Sequence, residues 1–162
     1  MTLCQTILND FDNEMKVTRT FLERVPLSQF KPHEKSMPLD YLATHIADLP
    51  SWFKFALGSE LLHLPADFKM DIMTSREALL DLFDRSVLEG RAAIDAATDE
   101  DMQKDWTFKW GDVFSMTSPR PDVVRSFLNH LIHHRAQLSV YLRLLNVPIP
   151  GAYGPSADEH VG

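Results

Sequence analysis

Cysteine is nearly missing from this sequence. Cys4 stands alone among 162 residues, so no intramolecular disulfide can form, and a reducing, cytoplasmic location is the expectation. Clustered positive charge is missing too. The net charge is −7 and no run of Lys or Arg occurs, which argues against a phosphate-binding surface and so against nucleic acid as a partner. No apolar run approaches the roughly 20 residues that span a bilayer, and no membrane partner is expected. The start, Met1-Thr2-Leu3-Cys4-Gln5, soon turns acidic at Asp10 and Asp12. It lacks the basic start and apolar centre of a signal peptide. Internal repeats and low-complexity segments are also lacking.

What remains is an ordinary globular composition. Hydrophobic residues make up 44% and charged residues 24%, and a chain of this size buries a core without disulfide staples. Four long helical patterns carry it. Over 3–24, Leu3, Ile7, Phe11, Met15 and Leu22 recur at helical spacing until Pro26. Over 38–57, Pro38 suits a first helical turn, and Leu42, His45, Ile46, Leu49, Phe53 and Ala56 share one face. Pro50 falls inside this helix and should kink it, because it removes a backbone bond and crowds the preceding turn. Gly58 suits its C-cap.

Residues 59–73 read as connecting loop. Over 74–97, Thr74 or Ser75 caps a helix with Leu79, Leu82, Phe83, Val87, Ala92 and Ile94 in its stripe. Residues 98–119 read as irregular. The alternation from Trp106 to Trp110 suits a short extended piece, too small to found a sheet-based domain. The last helix covers 121–146, started by Ser118 or by Pro121-Asp122, with Val123, Phe127, Leu131, Leu138, Tyr141 and Leu145 as its stripe. Pro148 and Pro150 end it. The expected fold class is all-α, a four-helix bundle over 1–150, with a Gly/Pro/Ser-rich tail at 151–162.

Seven histidines divide sharply by environment. His33, His63 and His160 fall in loops or the tail and read as solvated. The last helix holds Asn129-His130-Leu131-Ile132-His133-His134-Arg135-Ala136-Gln137. At roughly 100° per residue, His134 lies about 40° round from His130, and Phe127, Leu138 and Leu145 lie at about 60–80°. Both histidines thus project into or beside the apolar stripe, one turn apart and close enough to share an ion. His133, near −60° at roughly 100° per residue, falls off the edge. His45 occupies a core-facing position between Leu42 and Leu49 on the second helix. A buried imidazole loses hydration and must find a partner, and facing helices of a bundle commonly build metal sites.

His45, His130 and His134 are therefore the expected ligands of one divalent metal ion. Three neutral imidazoles suit zinc, nickel, copper or ferrous iron; zinc or nickel comes first and iron after them. They leave a position open for water or substrate, as catalytic sites do. Asp48 lies at or beyond the margin of the stripe and is not expected to ligate. Gln137 reads either as a group that reaches beyond the first ring of ligands or as a plain surface amide.

The run from His130 to Gln137, followed by Tyr141-Leu142-Arg143 and Val147-Pro148-Ile149-Pro150, resembles the last-helix signature of the DinB-like (DinB/YfiT-like) family. Leu42-Ala43-Thr44-His45 through Pro50-Ser51-Trp52 resembles that family's second helix, with its mid-helix proline and tryptophan, and Tyr153 to Glu159 resembles its closing segment. The family often has glycine where Ala136 stands, a departure that leaves the histidines untouched. The resemblance implies an up-down-down-up four-helix bundle, an open metal site on His45, His130 and His134, and often a homodimer. Relatives in the superfamily include transferases and isomerases that use low-molecular-weight thiols.

Two functions compete. One is a metal-dependent enzyme on a small-molecule substrate, either a thiol S-transferase or a hydrolase, in which the ion acts as Lewis acid or acidifies what it binds. A transferase needs cations for the carboxylates of its thiol; Arg135 lies near the stripe edge and Arg143 points away. A hydrolase needs a general base, and the spacing offers none, so no catalytic residue is named. The other is a non-catalytic metal-binding or stress-response module. The aromatic patch from Trp106 to Phe114 packs on the bundle, lines the site entrance or meets a second copy.

Overall fold

A computed structural model describes residues 2–159; His160 lies outside them. Helix α1 (Leu3–Leu22) opens with a capping box in which Thr2 Oγ1 accepts from Gln5 N and the Gln5 side chain accepts from Thr2 N. Of its expected stripe Ile7, Phe11, Met15 and Leu22 are buried, while Leu3 is exposed and Cys4 is buried beside it. The second pattern is a broken rod. Helix α2 (Leu39–Asp48) gives way to a 3-10 turn, Leu49–Ser51, and then to α3 (Trp52–Gly58). Pro50 sits at the break, as its missing N–H requires. Helix α4 (Arg76–Ala96) is capped by Ser75, whose side chain accepts from Ala78 N, and α5 (Arg120–Leu144) is the longest.

The rods meet through buried apolar side chains. Both α1 and the α2–α3 rod pack against α4 and α5, around a core that includes Phe11, Leu42, Ile46, Phe53, Leu79, Phe83, Leu131 and Leu138, each buried. Gly90 of α4 faces the broken rod: a Cβ there would stand 2.1 Å from the Pro50 carbonyl oxygen. A bare backbone at that point lets α4 close on the proline break.

The expectation of an all-α fold is overturned. Two segments, 59–73 read as connecting loop and 98–119 read as irregular, supply a three-stranded mixed sheet in the order β1-β2-β3. Strand β1 (Leu61–Leu64) runs parallel to β2 (Asp105–Trp110), which pairs antiparallel with β3 (Phe114–Pro119) across a turn where Gly111 takes φ +50. The extended piece expected at 106–110 is β2. Its partners are not legible locally, because β1 is only four residues long and precedes α4, which separates it from β2 in the chain, while β3, Phe-Ser-Met-Thr-Ser-Pro, is half polar. Pairing across the sheet, which local patterning does not report, supplies their backbone bonds.

The register places Trp106, Phe108 and Trp110 with Leu62, Leu64, Met116 and Phe114 on one face. The Trp106 end of that face is buried and meets Phe127 of α5 edge-on at 6.0 Å; Trp110 and Phe114, at the other end, stay exposed. His63 is exposed on β1, not in a loop, and His33 is exposed in the α1–α2 connection. Among the described residues no helix is long and apolar enough to cross a membrane.

The tail returns to the helices. Ile149 and Ala152 pack against the core. Asp158 pairs with Arg143 at 2.8 Å, and Glu159 accepts from the backbone of Gly151 and Ser156.

Candidate metal centre

The structure brings together the three histidines that the sequence put on core-facing positions. His45 comes from α2, His130 and His134 from α5. Their facing nitrogens lie within 4.8 Å of one another, and they are the group of potential metal-ligating side chains found among the described residues. His45 Nε2 is 3.2 Å from His130 Nε2, which is 2.8 Å from His134 Nε2. His134 is buried and the other two are half-buried. His133 is exposed and outside the cluster, its ring 5.2 Å from that of His134.

Neighbouring elements hold these rings. Thr44, fully buried beside His45, accepts from Met73 N at 3.0 Å and ties the connection before α4 to α2. Trp52 of α3 stands edge-on to both His45 and His130 at 5.6 Å, and to Phe127 at the same distance. The aromatic contacts continue from Phe127 to Trp106, so the sheet abuts the wall of the centre. Asp48 is no ligand. Its two oxygens accept from Ser51 Oγ at 3.2 Å and from the Trp52 indole N–H at 3.0 Å. Gln137, left between two roles by the sequence, reaches His134: its Oε1 is 2.7 Å from His134 Nδ1.

The electrostatics favour bare lone pairs. Burial first, and then the neighbouring imidazoles, push His45 and His130 from 6.5 down to about 4. Burial also lowers His134, partly offset by its bond to Gln137. All three are neutral at pH 7. A neutral imidazole has one N–H, and His134 directs its own at Gln137. One of the two close contacts within the cluster is therefore left with no proton to share. A cation among the three nitrogens removes that conflict. With ligand bonds of about 2.0–2.1 Å, tetrahedral geometry puts neighbouring nitrogens about 3.3 Å apart, close to the two separations that run through His130 Nε2, while all three nitrogens stay within 4.8 Å. The residues fit a divalent ion.

The two cations considered for an anionic substrate are both engaged. Arg135 is 2% exposed. It pairs with Glu14 of α1 at 2.7 Å, and donates to Thr18 Oγ1 at 3.1 Å and to the Tyr153 hydroxyl at 2.8 Å. Arg143 holds Asp158 of the tail. No local pattern shows that these side chains face α1 and the tail, because Glu14 lies 121 residues before Arg135 and Asp158 lies beyond the end of α5.

The family model described as the DinB family matches residues 1–160. The chain belongs to the DinB family. Solved structures agree on the fold. A DinB-like protein from Bacillus cereus ATCC 10987 is 22% identical with a TM-score of 0.71, covering 92% of this chain and 97% of that one. A DinB-like protein, YjoA, from Bacillus subtilis is 20% identical with a TM-score of 0.67, covering 89% of this chain and 96% of that one. No curated protein sequence matches. In this DinB family member the matched region holds all three clustered histidines and the tail through Glu159.

Proposed function

We infer that this DinB family protein is a metal-dependent enzyme in which His45, His130 and His134 hold one divalent ion, with zinc or nickel as the first candidates and iron after them. The observation that carries this reading is the convergence of three neutral imidazole nitrogens, from two helices, at separations of 2.8 and 3.2 Å. Three ligands leave a coordination position open, which is the arrangement of catalytic rather than structural sites. A divalent ion bound there supplies Lewis-acid activation of a small molecule in that position. The protein's own part is to keep the imidazoles neutral by burial and to wall the centre with Trp52.

The substrate class is a small molecule, and both thiol transfer and hydrolysis fit an open centre. Arg135 and Arg143 are engaged in ion pairs, so a thiol co-substrate is one recognised without them. A non-catalytic metal-binding role is the second reading. It is favoured by the commitment of Asp48, the carboxylate nearest His45 in sequence on α2, to Ser51 and Trp52 rather than to a proton-transfer position. The homodimer implied by the family resemblance belongs to this proposal too, with the exposed apolar end of the sheet as a surface that suits it.

The test is metal content by mass spectrometry after purification from metal-replete medium, with His45→Ala and His134→Ala in parallel. About one ion per chain in wild type and far less in both variants is expected. Wild type carrying no more metal than the variants would refute the three-histidine centre. Loaded protein that accelerates neither thiol transfer to an electrophile nor ester and amide hydrolysis would leave the non-catalytic reading standing.

A further inference from the structure

Gln137 lies three residues after His134 on α5, on the same face of the helix. Its Oε1 is 2.7 Å from His134 Nδ1. A carbonyl oxygen only accepts, so the ring nitrogen must donate, and His134 carries its proton on Nδ1. The other ring nitrogen, Nε2, is then a bare lone pair, directed at His130 Nε2 2.8 Å away. The opposite tautomer would set two acceptors 2.7 Å apart at the Gln137 contact and aim a proton into the cluster. Among the described residues, His134 is the one member of the trio whose outer nitrogen is held by a side chain.

The geometry points to Gln137 as a positioning residue for the centre: it fixes His134 as the Nδ1–H tautomer and thereby keeps Nε2 available to a divalent cation. The tautomer assignment stands on the hydrogen bond alone; its consequence for the cation rests on the three-histidine reading. Gln137 is not itself a ligand, because its amide meets the edge of the ring opposite the cluster. Groups that orient a ligating histidine in this way fix the ring and raise its basicity, and their loss typically weakens metal binding by about 10–100-fold. A neutral amide does this without adding charge to the site.

The experiment uses two variants at this exposed helical position. Gln137→Leu removes the acceptor and Gln137→Glu keeps one. Nitrogen-15 NMR of metal-free protein reads the His134 tautomer directly, and competition against a chromophoric chelator reads zinc affinity. Wild type and Gln137→Glu should show a protonated Nδ1 and bind zinc with equal or, for the carboxylate, greater strength. Gln137→Leu should lose the tautomer preference and weaken zinc by about 10–100-fold. A proton on Nε2 of His134 in wild type, or zinc bound by Gln137→Leu as tightly as by wild type, overturns the proposal. Wild type with protonated Nδ1 that takes up no zinc overturns the metal reading instead, and with it the role of Gln137 towards a cation.

Discussion

Arg135, the residue after His134, forms a buried ion pair with Glu14 of α1 at 2.7 Å. The same guanidinium donates to the Tyr153 hydroxyl, which itself donates to Glu14. One arginine thus fastens α5 to α1 and the tail to both, directly behind a histidine of the centre. Removing it leaves a carboxylate that is mostly shielded and unpaired, a change that costs about 3–5 kcal/mol when a buried pair is broken. Arg135→Ala should therefore lower the melting temperature by about 10 °C, at about 2–4 °C per kcal/mol for a chain of this size. Tyr153→Phe, which leaves the ion pair intact, should cost far less. Calorimetry on both variants checks this. An unchanged Arg135→Ala midpoint would mean that the pair is not formed in solution.

Asp48 and Trp52 make the second prediction. The carboxylate holds the indole N–H at 3.0 Å and so sets the ring that stands edge-on to His45 and His130. Asp48→Ala should shift the Trp52 indole N–H resonance and loosen the ring, while leaving the metal content per chain unchanged. Loss of the metal in that variant would make Asp48 a ligand and contradict the geometry.

The third concerns pH. In the fold, His45 and His130 titrate at about 4 rather than 6.5, because burial disfavours their charged form. As pH falls below 6.5 the unfolded chain takes up protons before the folded chain does. The sign follows: metal-free protein has the full contribution of these neutral histidines above pH 6.5 and loses it as pH falls towards 4. Chemical denaturation at pH 7, 6 and 5 should show a steady loss of stability in wild type and a shallower one in His45→Ala. A profile that is flat from pH 7 to 5 would mean that the imidazoles are not desolvated.

The sequence determined the helices and the facing of their histidines because both depend on local periodicity. Ile7, Phe11 and Met15 on α1, or Phe127, Leu131 and Leu138 on α5, announce a buried face through a 3.6-residue repeat. The same angular bookkeeping put His130 and His134 beside that face and His133 off it, as found. The Pro50 break follows from a missing N–H in one residue. Tertiary structure decided the rest, because the partners lie far apart in the chain. Leu61–Leu64 becomes a strand only when Thr107 to Trp110 lies beside it. Arg135 is no substrate clamp because Glu14, 121 residues before it, reaches it first. His45 is a core-facing residue by sequence; that its Nε2 ends 3.2 Å from His130 is set by the packing of α2 on α5, which no local pattern encodes.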